Sequence, residues 1–217
     1  MKVMKAFSII IFLLVTGIHL YASLRHDRFL RNLTKPFLVP AIFLYYCVSA
    51  GKISLTLCLA LLFSWLGDLL LMKKSVNWMA LGGLSFMASH VSFVLTFRRD
   101  ILFSRISVLS FLLPALCFIC ASLLIYRALL PHLPQKLAPV ALIYLLINSV
   151  MNCFAWYRLL CLLTPAAGIT ALGAILFYLS DTILFFVRFK KDFRLKSHFG
   201  VMLTYALGQF LIVSGLL

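Results

Sequence analysis

Between Ala166 and Val187 the chain reads AAGITALGAILFYLSDTILFFV, a long apolar run whose one charged side chain is Asp181. Coiled as an α-helix, such a run is long enough to cross about 30 Å of hydrocarbon. It shows none of the apolar–polar alternation in segments of about ten residues that a membrane β-barrel requires. Backbone groups in lipid must be satisfied within their own segment, so a helix remains. Comparable runs lie on both sides of it, at 6–23, 36–51, 53–72, 78–97, 106–126, 138–157 and 198–217. The second is short and opens at Pro36, where a missing N–H costs nothing at a helix start. The pattern predicts an all-α polytopic membrane protein of about eight transmembrane helices, with residues 1–217 as a single transmembrane domain. Tight connections predict antiparallel neighbours.

The composition agrees. Of 217 residues, 64% are hydrophobic and 12% are charged, with a mean hydropathy of +1.10. A soluble domain is nearer half apolar and a quarter charged, and could not hide this much apolar surface. Lys2 and Lys5 precede the apolar stretch Ala6–Ser23, as in a signal peptide. That stretch is long for such a segment and no clean A-x-A site follows, so it reads as the first span.

A net charge of +15 does not point to nucleic acid here. The basic residues fall in short clusters between apolar runs, where they orient helices and attract anionic headgroups. Thirteen lie on the first, third, fifth and seventh connections, against seven on the other side. The positive-inside rule puts the richer side in the cytoplasm and both termini outside it. A bacterial inner membrane is the expected location, or the endoplasmic reticulum in a eukaryote.

The six cysteines lie in or beside apolar runs, and Cys117-x-x-Cys120 has no second ligand pair nearby. The five histidines show no metal-ligand spacing. The sequence therefore predicts no metal or redox site.

Acids are scarce. There is no glutamate, and Asp27, Asp100 and Asp192 sit in basic stretches with neighbours to pair with. Asp68 and Asp181 instead lie inside apolar runs, where an ionised carboxylate costs about 2.5–3.5 kcal/mol at a helix centre. They share a pattern: Leu66-Gly67-Asp68-Leu69-Leu70-Leu71 and Leu179-Ser180-Asp181-Thr182-Ile183-Leu184 both fit L-[GS]-D-x-[LI]-L. In each following helix Ser89-His90 corresponds to Gly208-Gln209. This predicts two parallel four-helix repeats, 1–100 and 101–217, with both aspartates at similar depth toward the cytoplasmic side. Two carboxyls sharing one dry cavity do not ionise together readily. One can keep its proton while the other is charged, the pairing that hydrolysis uses. The bland alternative is that both simply tie helices together.

Other polar residues are candidates for the same cavity. Tyr144, Asn148 and Asn152 recur at i, i+4, i+8, and Tyr205 and Gln209 form an i, i+4 pair. His90 lies a turn or two deeper than Asp68, so contact between those two is not expected. Ser85, Ser89 and Ser92 form a small-residue packing face. Lys35, next to Pro36 at the interface, suits a phosphate, or simply snorkels.

These residues resemble the YhhN family of membrane lysoplasmalogenases. The resemblance rests on Thr34-Lys35-Pro36, Ser64 to Leu71, Gly82 to Phe86 with Ser89-His90, Gly173 to Thr182, and Tyr205 with Gly208-Gln209. It runs along nearly the whole chain. One departure is Gln209, where some relatives carry histidine; glutamine cannot shuttle a proton as histidine can. The resemblance implies hydrolysis of the vinyl ether bond of lysoplasmalogens to a fatty aldehyde and a glycerophospho-base, without a cofactor. The partner would be a single-chain ether phospholipid. It carries the catalytic role to Asp68 and Asp181, and substrate contacts to Lys35 and His90. A small ion-coupled transporter or a lipid-binding membrane protein is the alternative, since repeats with intramembrane acids also serve carriers. Few Gly or Pro interruptions mark the broken helices such carriers use.

Overall fold

A computed structural model describes residues 2–73, 75–190 and 198–217. Among these there are nine α-helices and no strand: α1 (Lys2–Leu24), α2 (Arg28–Thr34), α3 (Leu38–Ser49), α4 (Leu55–Leu71), α5 (Val76–Arg98), α6 (Val108–Leu129), α7 (Ala138–Leu162), α8 (Pro165–Phe189) and α9 (His198–Gly215). The eight longer ones follow the expected runs. Six of them, α1 and α5 to α9, are long and apolar enough to cross a membrane. α4, with 17 residues, and α3, with 12, fall short of that length. α3 is short because its predicted start, Lys35–Phe37, winds as a 3-10 turn.

The sequence pattern places the seven-residue α2 in the first connection, with no helix expected there. Asp27, expected to pair with a basic neighbour, caps this helix instead, accepting from the Leu30 N–H at 3.0 Å. Phe29, Leu33 and Phe37 are exposed here among Arg25, Arg28 and Arg31, the make-up of a helix lying at a membrane surface.

Large apolar side chains occur both inside and outside. Phe12, Ile42, Phe93, Phe97, Phe177 and Ile212 are fully buried, while Leu14, Leu62, Leu113, Leu124, Ile143 and Leu172 face outward. A surface of this kind is stable against lipid, not water. α6 is the most peripheral long helix, with 6% of its most apolar window buried against 50% for α5, α7 and α9. These features make the chain an integral membrane protein.

Two antiparallel pairs position the site. α4 and α5 are stitched by Ser85 Oγ donating to the Phe63 carbonyl at 2.7 Å and Ser89 Oγ to the Ala60 carbonyl at 2.8 Å. α8 and α9 close on each other through glycine: a Cβ on Gly173 would come within 2.7 Å of the Gly208 carbonyl, and one on Gly208 within 2.9 Å of the Gly173 carbonyl. α7 packs against α5, α6 and α8, and α1 and α3 lie against α9.

Candidate active site

Asp68 is set by the residues around it on α4. Its predecessor Gly67 lets the Phe86 ring of α5 approach, since a Cβ there would stand 2.6 Å from that ring. Three residues earlier, Trp65 Nε1 donates to the Pro36 carbonyl at 2.9 Å. That carbonyl is free because Pro40, four residues on, has no N–H to give it. The bond ties the 3-10 turn to α4 and brings Lys35 Nζ to 3.2 Å from Asp68 Oδ1. From α9, Tyr205 donates its hydroxyl to Asp68 Oδ2 at 2.7 Å. Gln209 backs this contact, with Nε2 2.7 Å from Ser64 Oγ and 3.3 Å from the Tyr205 hydroxyl.

Asp181 on α8 draws its partners from α7 and α5. Tyr144 donates to Oδ2 at 2.7 Å and Asn148 Nδ2 donates to the same oxygen at 2.8 Å. The four-residue spacing of that pair brings both to one carboxyl oxygen. Asn152 Nδ2 donates to the Asn148 side-chain oxygen at 3.1 Å, turning the Asn148 amide toward Asp181. His90 Nε2 stands 3.4 Å from Asp181 Oδ2. This is an electrostatic approach without hydrogen-bond alignment, because neither ring nitrogen has a hydrogen-bond partner among the described residues.

The two carboxyls, 3% and 4% exposed, line one cavity of about 60 Å³ with Lys35, Arg188, His198 and Tyr205. A second cavity of about 70 Å³ adjoins it, enclosed by apolar residues of α5, α7 and α8, with Tyr144, Asp181 and Arg188 on its wall. Both lie at the end of the bundle where α4 stops and α5 begins. The arrangement therefore brings two carboxyl groups to one small space at an apolar boundary.

The sequence candidates divide into wall and support. Lys35, Tyr144 and Tyr205 line a cavity with the aspartates. His90, Asn148, Asn152 and Gln209, expected to touch substrate, are completely buried and absent from either wall. They stand deeper in the helices, behind the carboxyls. Lys35, expected at a phosphate, directs its ammonium to Asp68. His90 does not meet Asp68, as expected, but it does meet Asp181. The structure adds Arg188 and His198, which nothing local in the sequence marks, and Ser64, which the sequence offers only within the Ser64–Leu71 stretch.

Of the other acids, Asp100 pairs with Arg158 at 2.7 Å, and Asp192 lies outside the described residues.

Comparison with known proteins places the chain: a profile of the YhhN family matches residues 30–216. No curated protein and no solved structure matches it. The chain belongs to the YhhN family, and at that level a lysoplasmalogenase-like role is supported.

Proposed function

We propose that this protein is a membrane hydrolase that cleaves the vinyl ether bond of lysoplasmalogens, with Asp181 as proton donor and Asp68 as the working carboxylate. The observation that carries the reading is the pair of buried carboxyls, from separate helices, lining one cavity at an apolar boundary. Lys35 Nζ lies 3.2 Å from Asp68 Oδ1, which sets a positive charge beside the carboxyl assigned the base role. Tyr144 and Asn148 donate to Oδ2 of Asp181 and His90 approaches the same oxygen, so in this reading Oδ1 carries the proton.

The steps close on themselves. Asp181 gives its proton to the outer vinyl carbon, and the ether oxygen supports the resulting cation. Asp68 lies opposite that charge, as the second carboxyl does in glycoside cleavage through a similar cation. Water adds to the cation and Asp68 takes its proton. The hemiacetal then collapses: its hydroxyl proton returns to Asp181, the C–O bond breaks, and Asp68 protonates the departing glycerol oxygen. Aldehyde and glycerophospho-base leave, and both acids regain their starting states.

The orientation belongs to the same reading. Eight spans with both termini outside put the cavities on the cytoplasmic side, the end richer in Lys and Arg. A reporter fused after Leu217 and active only outside the cytoplasm is expected; activity only inside would reverse the leaflet served.

The direct test is purified protein in detergent with a lysoplasmalogen and an aldehyde assay. Aldehyde above the protein-free rate is expected. A folded protein that releases none would sink the hydrolase.

A further inference from the structure

We infer that the two adjoining cavities are two arms of one lipid site, with the hydrocarbon chain in the α5–α7–α8 arm and the phosphate held by Arg188 and His198 at the other. The inference rests on the proposed lipid substrate and adds how that lipid lies.

The arms differ in chemistry and meet where the reaction would occur. Leu71, Phe86, Asp181, Leu184 and Arg188 belong to both walls. Beyond them, one arm continues over Ala80, Gly83, Val140 and Ala141. The other continues over Lys35, His198 and Tyr205. A single-chain vinyl ether lipid has the same order: chain, vinyl ether, glycerol, phosphate. Its scissile bond is the junction of its apolar and polar parts, and Asp181 is the acid on the junction of the arms.

Lys35 is occupied by Asp68, so an anion needs another cation. Arg188 is exposed and forms no ion pair among the described residues. Its Nη2 donates to the Leu71 carbonyl at 2.9 Å, which fixes the guanidinium over the end of α4. Leu71 lies three residues beyond Asp68, roughly 4.5 Å along the helix axis, a short reach that a glycerol backbone bridges. A guanidinium has five donors, and the remaining ones suit phosphate oxygens. His198 begins α9 on the same wall.

Gly83 provides a clean probe of the chain arm. A Cβ there meets nothing within 4 Å, so a larger side chain enters open space, and leaving glycine favours the helix. Gly83→Leu should fold at least as well as the parent and fill part of the arm. Arg188→Gln keeps a donor for the Leu71 carbonyl while removing the charge.

The test measures equilibrium binding in lipid nanodiscs with saturated alkyl ethers, which cannot be hydrolysed. The probes are 1-O-hexadecyl-glycerophosphoethanolamine, its 1-O-hexyl analogue, and 1-O-hexadecylglycerol. Gly83→Leu is expected to weaken the hexadecyl phospholipid about tenfold and leave the hexyl analogue unchanged. Arg188→Gln is expected to weaken both phospholipids about tenfold and leave hexadecylglycerol unchanged. Equal effects on all probes, no effect on any, or no binding by the parent protein would overturn the inference. Chain- and phosphate-selective binding without aldehyde release would instead overturn the hydrolase and leave the binding mode standing.

Discussion

Asp68 and Asp181 occupy the same six-residue pattern, yet they meet different surroundings. Asp68 has an ammonium at one oxygen and a phenol at the other. Asp181 has a phenol, an amide and an imidazole directed at a single oxygen. The local pattern sets how far along its helix each carboxyl sits. The partners arrive from other helices, and they give the two carboxyls different hydrogen-bonding and charged neighbours. The proposed division of labour rests on that difference in surroundings.

The largest effect belongs to the carboxyls themselves. Asp68→Asn and Asp181→Asn are each expected to lower kcat at least about a hundredfold in folded, inserted protein. The double variant should be little worse, since groups acting as a unit are not additive. Full activity in either single variant breaks the division of labour.

Lys35→Gln should come next, lowering kcat about thirtyfold with little change in KM, because it removes a charge-assisted contact to Asp68. A raised KM at unchanged kcat would return Lys35 to the phosphate-binding part expected from sequence.

The phenols sharpen the comparison. Tyr144→Phe removes the hydrogen bond to Asp181, Tyr205→Phe removes the one to Asp68 and the longer one from Gln209, and each should cost about tenfold in kcat/KM. Combined with Asp68→Asn, Tyr205→Phe should add little, whereas with Asp181→Asn it should retain its own cost. Double-mutant cycles read that difference. Equal coupling to both aspartates would mean one undivided network.

Asn152→Leu should have the smallest effect, about threefold in kcat, because Asn152 acts only through the Asn148 amide. Its effect should vanish in an Asn148→Leu background. A loss comparable with Asn148→Leu in the parent would give Asn152 a direct role.

Much of this was legible in the chain. Apolar runs located the eight longer helices, and two acids in a lipid setting marked the site. What was not legible depends on tertiary approach. Nothing local shows that Pro40 frees the Pro36 carbonyl for Trp65, or that this bond swings Lys35 onto Asp68. The phenol facing Asp68 lies on the last helix, and the imidazole facing Asp181 lies on α5. Helical spacing did group Tyr144 with Asn148, because i, i+4 neighbours share a face. It could not tell that Asn152, one turn on, would support rather than line the cavity. α2 was missed because seven residues are too few for a periodic signal, although Asp27 was available as its cap.

The central claim is that Asp181 protonates the outer carbon of a vinyl ether. Hydrolysis of a lysoplasmalogen by the purified protein in heavy water tests this directly, with the aldehyde trapped as it forms. The account predicts one solvent deuterium on the carbon next to the aldehyde, with its formation lost in Asp181→Asn. Aldehyde without that deuterium, or labelled aldehyde formed at the parent rate by Asp181→Asn, would contradict it.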